Sequence, residues 1–141
     1  MMKTSVMLSI EGRQSYAGQD PEVIELVTEG TLQQTTDGWI VSYEESDLTG
    51  MLGVTTTFTV EDRKLTLTRT GKLNSQMVFQ EGIRHDSLYQ MEFGALMLSV
   101  CARTIQVNLT AAGGTIDLSY GIEIEQSEAG VIDYHLDIKA K

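Results

Sequence analysis

Residues 54–71 read VTTTFTVEDRKLTLTRTG, and this stretch decides the fold. Apolar and hydroxyl side chains alternate with a period of two, the pattern of a half-buried strand and not of a helix. The break at Glu61–Lys64 folds the halves onto each other as a hairpin. Whether the turn centres on Asp62-Arg63 or takes all four residues, Val60 stands opposite Leu65. One face then carries Thr56, Phe58, Val60, Leu65, Leu67 and Arg69. The other carries facing rows of threonine, Thr55, Thr57 and Thr59 against Thr70, Thr68 and Thr66. Threonine pairs of this kind suit a pleated, partly wet surface.

The same period extends in both directions. Val6, Leu8 and Ile10 alternate with Met7, Ser9 and Glu11, and a polar stretch to Pro21 follows. Asp20-Pro21-Glu22 has the form of a helix start. The β-branched run Val23–Thr28 behind it reads as a strand instead, continuing to Thr36. Asp37-Gly38 is the strongest hairpin signal, and as the central pair of a two-residue turn it sets Thr36 opposite Trp39. Val41 then faces Gln34 and Tyr43 faces Leu32, with Trp39, Val41 and Tyr43 on the face of Ile24 and Leu26. Gly50 and Gly53 mark Leu48–Gly53 as a bend.

Beyond residue 71 a loop at Arg84-His85-Asp86 sets Met77, Phe79 and Glu81 against Phe93, Met91 and Tyr89. Ala95–Val100 tolerates helix. A turn at Ala111–Gly114 opposes Leu109, Val107, Ile105 and Cys101 to Ile116, Leu118, Tyr120 and Ile124, with Arg103 against Ile122. A last hairpin around Ser127-Glu128-Ala129 aligns Ile132, Tyr134, Leu136 and Ile138 with Ile124, Ile122, Tyr120 and Leu118. The expected fold is all-β, one domain over residues 1–141. It is a single antiparallel barrel, closed or nearly closed, of about 8–10 strands, because a long open meander leaves exposed edges. Trp39, Phe58, Leu67, Phe79, Met91, Leu118 and Tyr120 are its expected core.

Composition narrows the function classes. Twenty acidic and ten basic residues give a formal net charge of -10, without a basic cluster, which argues against nucleic acid as a partner. The ten residues from Met1 to Ile10 are too short and polar for a leader or a membrane span, so a cytoplasmic protein without a membrane partner is expected. The single cysteine, Cys101, suits a reducing compartment and, lying in an apolar run, is expected to be buried and inert.

Several quoted motifs also carry a resemblance. Tyr43-Glu44-Glu45-Ser46, Gly53 with Thr55-Thr56-Thr57, Arg69-x-Gly71, Met77-x-Phe79, Tyr89 with Gly94, and Gly114 with Tyr120 follow in order from about Met7 to Ile138. In this the chain resembles the YwiB-like family of uncharacterised bacterial proteins. The resemblance implies a calycin-type, lipocalin-like barrel in a small cytoplasmic protein. It implies no activity and no catalytic residues.

The residues themselves support little catalysis. Cys101 lies far from His85 and His135 in the hairpin scheme, one Cys and two His cannot complete a structural zinc site, and the glycines form no phosphate loop. No enzyme activity, cofactor or metal is expected. On the polar face of the last hairpin, the register opposes Glu123 to Asp133, Gly121 to His135 and Ser119 to Asp137. A solvated outer wall explains that cluster better than a cation site.

The other constellation is charge on apolar faces: Arg69, Glu81 and Arg103. Inside a barrel such groups must be paired or solvated. Arg69 and Glu81 are the natural internal pair, which leaves a surplus arginine. That surplus suits a small anionic or amphipathic ligand, held by Arg69, Arg103 and Glu81 against a wall of Phe58, Phe79, Tyr89, Met91 and Tyr120. A non-enzymatic small-molecule binder is therefore the first expectation. A filled barrel serving interaction or assembly, for instance as a homodimer, is the alternative.

Overall fold

The structure is a computed structural model that describes residues 3–16, 18–46, 50–91, 94–125 and 127–141, without the side chains of 88–91 and 128. Ten strands follow one another: β1 Lys3–Ser15, β2 Glu22–Gln34, β3 Trp39–Glu44, β4 Val54–Glu61, β5 Lys64–Gly71, β6 Ser75–Phe79, β7 Arg84–Met91, β8 Gly94–Thr110, β9 Gly113–Ile124 and β10 Ser127–Ala140. They form one antiparallel sheet in the order β6-β5-β4-β3-β2-β1-β10-β9-β8-β7. The sheet curls into a nearly closed barrel, and the described residues include no helix. Asp20-Pro21-Glu22 leads into β2, and Ala95–Val100 lies in β8. In both places the backbone is taken up in ladders, β2 with β1 and β8 with β7 and β9.

Strands β1 and β10 pair in the middle of the sheet, so the barrel's seam falls between the consecutive strands β6 and β7. There the ladder gives way to side-chain packing and to isolated bridges, Gln80 with Ile83 and Glu81 with Ala102. The Gly82 amide donates to the Ala102 carbonyl at 2.9 Å, which ties the β6–β7 turn to β8.

The inward face follows the alternation. Val6, Leu8, Leu32, Val41, Phe58, Leu65, Leu67, Phe79, Ile116, Leu118, Tyr120, Leu136 and Ile138 are buried in one core. The 54–71 hairpin keeps the expected register, Val60 against Leu65 and the threonine rows facing. Trp39 is only half-buried, because it closes one end of the barrel instead of filling its middle. The Met91 side chain and Phe93 lie outside the described residues.

Four turns differ from expectation. Gln34 pairs with Trp39, Leu32 with Val41 and Gly30 with Tyr43, a slip of two residues that keeps each side chain on its face. Thr35 and Gly38 close the turn, Thr35 N donating to the Gly38 carbonyl at 2.8 Å and Gly38 N to Thr35 Oγ1 at 2.9 Å. A Cβ at residue 38 would overlap the Val60 carbonyl oxygen, so this glycine serves a close approach to β4. The β6–β7 turn lies at Gln80–Ile83, before Arg84. Residues 84–91 therefore pair with β8, not with β6.

The β8–β9 turn takes only Ala111 and Ala112, and a bulge between Ala102 and Thr104 makes Arg103 an extra residue. On one side of it Ile105, Val107 and Leu109 keep the inward parity. On the other, Ala102, Val100 and Leu98 take it over, and Arg103 and Cys101 turn outward. Arg103 is exposed, contrary to the sequence expectation, and Cys101 is half-buried, not buried. The last hairpin slips by four residues, Ile132 pairing with Tyr120 and Tyr134 with Leu118, around a turn at Glu125 and a second bulge at Ala129.

A candidate ligand-binding cavity at the Arg69 end

Barrel register brings one polar row together beneath the end of the barrel opposite Trp39. Tyr43 pairs with Thr56, Thr56 with Arg69 and Arg69 with Ser75, so β3 to β6 each contribute one inward side chain to the same level. All four are buried, Arg69 and Ser75 at 9% exposure each. Two residues beyond Tyr43, Glu45 enters the same layer at 5% exposure. Its amide donates to the Val54 carbonyl at 2.8 Å, and its Oε2 accepts from Thr56 Oγ1 at 2.7 Å.

Burial shapes the titration of this layer. It pushes the Tyr43 hydroxyl well above the usual phenol value, and the neighbouring Glu45 carboxylate pushes it further. Tyr120 is driven up mainly by burial and secondarily by Tyr134. Both phenols are therefore neutral donors at physiological pH. Burial opposes the charge on Arg69, but Tyr134, Tyr43 and Glu45 outweigh it and hold the guanidinium protonated. Arg69 Nε and Ser75 Oγ are buried without a hydrogen-bond partner among the described residues. Buried donors are rarely left so.

Above the row lies a cavity of about 390 Å3, open at the barrel's end. Its wall is mostly apolar: Ile10, Leu26, Met77, Leu98, Ile122 and Ile132, with Ile24 and Ile124 exposed at the lip. Gln14, Tyr43, Glu45, Arg69, Tyr120 and Tyr134 supply the polar atoms. The Tyr120 ring is wedged between Phe79, 4.5 Å away, and Tyr134, 6.5 Å away. Gly12 makes room for the Tyr134 ring, which a Cβ there would meet at 3.2 Å. A second hollow, about 780 Å3, opens at the opposite end. It is the larger, but charged turn residues, among them Asp37, Glu61, Asp62, Arg63 and Lys64, rim it, and no buried charge is aimed into it.

Arg69, Phe58, Phe79 and Tyr120 point into the barrel. Glu81 is exposed in the β6–β7 turn and cannot pair with Arg69, and Arg103 is exposed at the bulge. The Tyr89 and Met91 side chains lie outside the described residues. Glu45, Ser75 and Tyr134 were not expected at the site. Glu45 had a readable signal, since it stands two residues beyond the inward Tyr43.

The outer wall is differently arranged from the expected acidic cluster. Asp117 pairs with His135, and Ser119 with Asp133. His135 Nδ1 lies 2.5 Å from Asp117 Oδ1, and that hydrogen bond raises the histidine's pKa. Glu123 is bound instead by Arg84 at 3.1 Å, and Arg84 also reaches Asp86 at 3.2 Å. Among the described residues no group of three or more His, Cys, Asp or Glu is placed to hold a metal ion. Among the described residues there is no helix long and apolar enough to cross a membrane.

The fold is shared with a known structure. The crystal structure of the ywiB protein from Bacillus subtilis superposes with a TM-score of 0.88 at 22% sequence identity, covering 99% of this chain and 93% of that one. No curated protein matches the chain. The sequence profile of a family described as a domain of unknown function, DUF1934, matches residues 8–138, from the core of β1 to the core of β10. With that match over nearly the whole barrel, the chain belongs to the DUF1934 family of YwiB-like proteins.

Proposed function

We propose that this protein is a non-enzymatic, cytoplasmic binder of a small amphipathic molecule with an anionic group, held in the cavity at the Arg69 end. The observation that carries the reading is a 9%-exposed arginine with an unpartnered Nε at the floor of an apolar, open cavity. At about 390 Å3 the cavity falls at the small end of the size range of ligand sites. A carboxylate or similar head satisfies the guanidinium, and the apolar remainder covers Leu26, Leu98 and Ile132.

Titration with anilinonaphthalene sulfonate, an anionic aromatic probe, tests this. Native protein at neutral pH is expected to bind it with saturating fluorescence, and Leu98→Trp, which fills the cavity, is expected to abolish binding while the protein still unfolds cooperatively. Equal binding by both, or none by the native protein, contradicts the reading. A second reading, pairing with another copy of the chain, is favoured by the outer face of β2, where Val27 is 68% exposed. The half of β2 before Gly30 also pairs with β1 alone. Sedimentation of the native protein against Val27→Lys tests it: a dimer lost in the variant supports the reading, and a native monomer ends it.

A further inference from the structure

We infer that the free edge of β2, residues 22–29, takes up an extended segment of another protein as an added strand, one that sets a basic residue against Glu25 between apolar residues facing Ile24 and Leu26. The inference goes beyond the small-molecule reading, since it needs neither Arg69 nor the cavity floor. Strand β2 runs for 13 residues and β3 for only 6. Their ladder stops at Gly30 and Tyr43, and the Glu45 amide turns to the Val54 carbonyl beside β4. Among the described residues, 22–29 therefore pair with β1 alone. About half of their backbone N–H and C=O groups point away from β1, as in any outer strand of a ladder. Such groups bind a further strand through its main chain, and alternate side chains give the choice of partner.

Cross-strand register says what that partner must carry. On the outer face one row runs Asp117, His135, Glu11 and Glu25 across β9, β10, β1 and β2. Asp117 and His135 are hydrogen-bonded to each other. Glu11 and Glu25 are like charges directly opposite, both exposed, and neither has an ion-pair partner among the described residues. Facing like charges are unfavourable, and a cation at the next position of the row relieves them. Glu29 already has its cation in Lys141, 2.7 Å away. On the inner face Ile24 is 42% exposed at the cavity's lip beside Leu26, so residues flanking the cation on an added strand cover apolar surface. Val23 and Val27 do the same for the outer face. Residues 22–29 include three glutamates and no basic residue. A second copy thus brings no cation to Glu25, and two chains of net charge -10 repel each other. Glutamates that keep the edge from pairing with its own kind admit a basic strand.

Amide NMR of the full chain during titration with the blocked peptide acetyl-Thr-Val-Thr-Val-Lys-Val-Thr-amide tests the inference. Saturable shifts are expected in the amides of residues 22–29. Replacing the peptide's lysine by glutamate should weaken binding about fivefold or more, the swing of one cross-strand charge pair. Glu25→Lys, a change at an exposed position that leaves folding intact, should reverse that preference. A peptide N-methylated along the edge that meets β2 cannot complete the ladder and should not bind. Equal affinity for the two peptides, a preference that survives Glu25→Lys, undiminished binding of the N-methylated peptide, or no saturable shift in the 22–29 amides overturns the inference. So does sedimentation showing a native dimer that Val27→Lys dissolves, because a second copy then holds the edge.

Discussion

Arg69 and Ser75 face each other across β5 and β6, and each holds a buried polar atom, Nε and Oγ, without a partner among the described residues. An unpaired buried hydroxyl costs stability, whereas its removal costs only a small packing loss. Ser75→Ala is therefore expected to leave folding stability unchanged or to raise it by about 1 kcal/mol in urea denaturation. A loss of about 2 kcal/mol or more would show that the hydroxyl is bonded in the free protein.

The outward turn of Arg103 has its own test. Arg103→Met should leave anilinonaphthalene sulfonate affinity within about twofold of the native protein, since surface charges far from a site contribute little. A large loss of affinity would place Arg103 inside the barrel, where unbroken alternation puts it.

Phe79 is fully buried and holds the ring of Tyr120 in place at 4.5 Å. Phe79→Ala should lower stability by about 3–5 kcal/mol, the cost of an aromatic cavity in a packed core. Chemical denaturation monitored by circular dichroism reads it, and a loss below about 1 kcal/mol would mean that the core is loosely packed there.

His135 on the outer wall predicts a pH dependence. Its pKa is raised from 6.5, first by the Asp117 hydrogen bond, against the opposing effect of burial, with the charges of Asp117, Asp137 and Glu11 adding to the rise. A folded-state pKa above the unfolded one contributes stability that is fully present below the unfolded value and is lost as pH rises through the folded value. Native stability should thus fall, relative to Asp117→Asn, as pH rises from below 6.5 through the raised value. The effect is modest because the pair is half exposed. Parallel pH profiles for the two proteins would remove the pair from the account.

Much of this fold is legible in the chain, because burial on one face of a strand imposes a period of two that survives errors in turn length. The slips of two residues at Thr35–Gly38 and four at the last hairpin moved no side chain to the wrong face. A bulge is different. One extra residue at Arg103 reversed the parity of Cys101 and Arg103, and alternation carries no sign of it. The site was half legible for a related reason. Arg69 stood out as a charge on an apolar face, but its partners come from strands far apart in sequence. Tyr134 on β10 meets it only through closure of the sheet, and Glu45, beyond the end of β3, through the β3-β4-β5 ladder.

The central claim is that the Arg69 end, and not the larger hollow opposite, receives a ligand. Methyl NMR during titration with anilinonaphthalene sulfonate tests it most directly. The account predicts saturable shifts of the Leu26, Met77, Leu98 and Ile132 methyls, with those of Ile105 and Val107 at the opposite end unmoved. Shifts confined to Ile105 and Val107, or no saturable shift at any of these methyls, would contradict it.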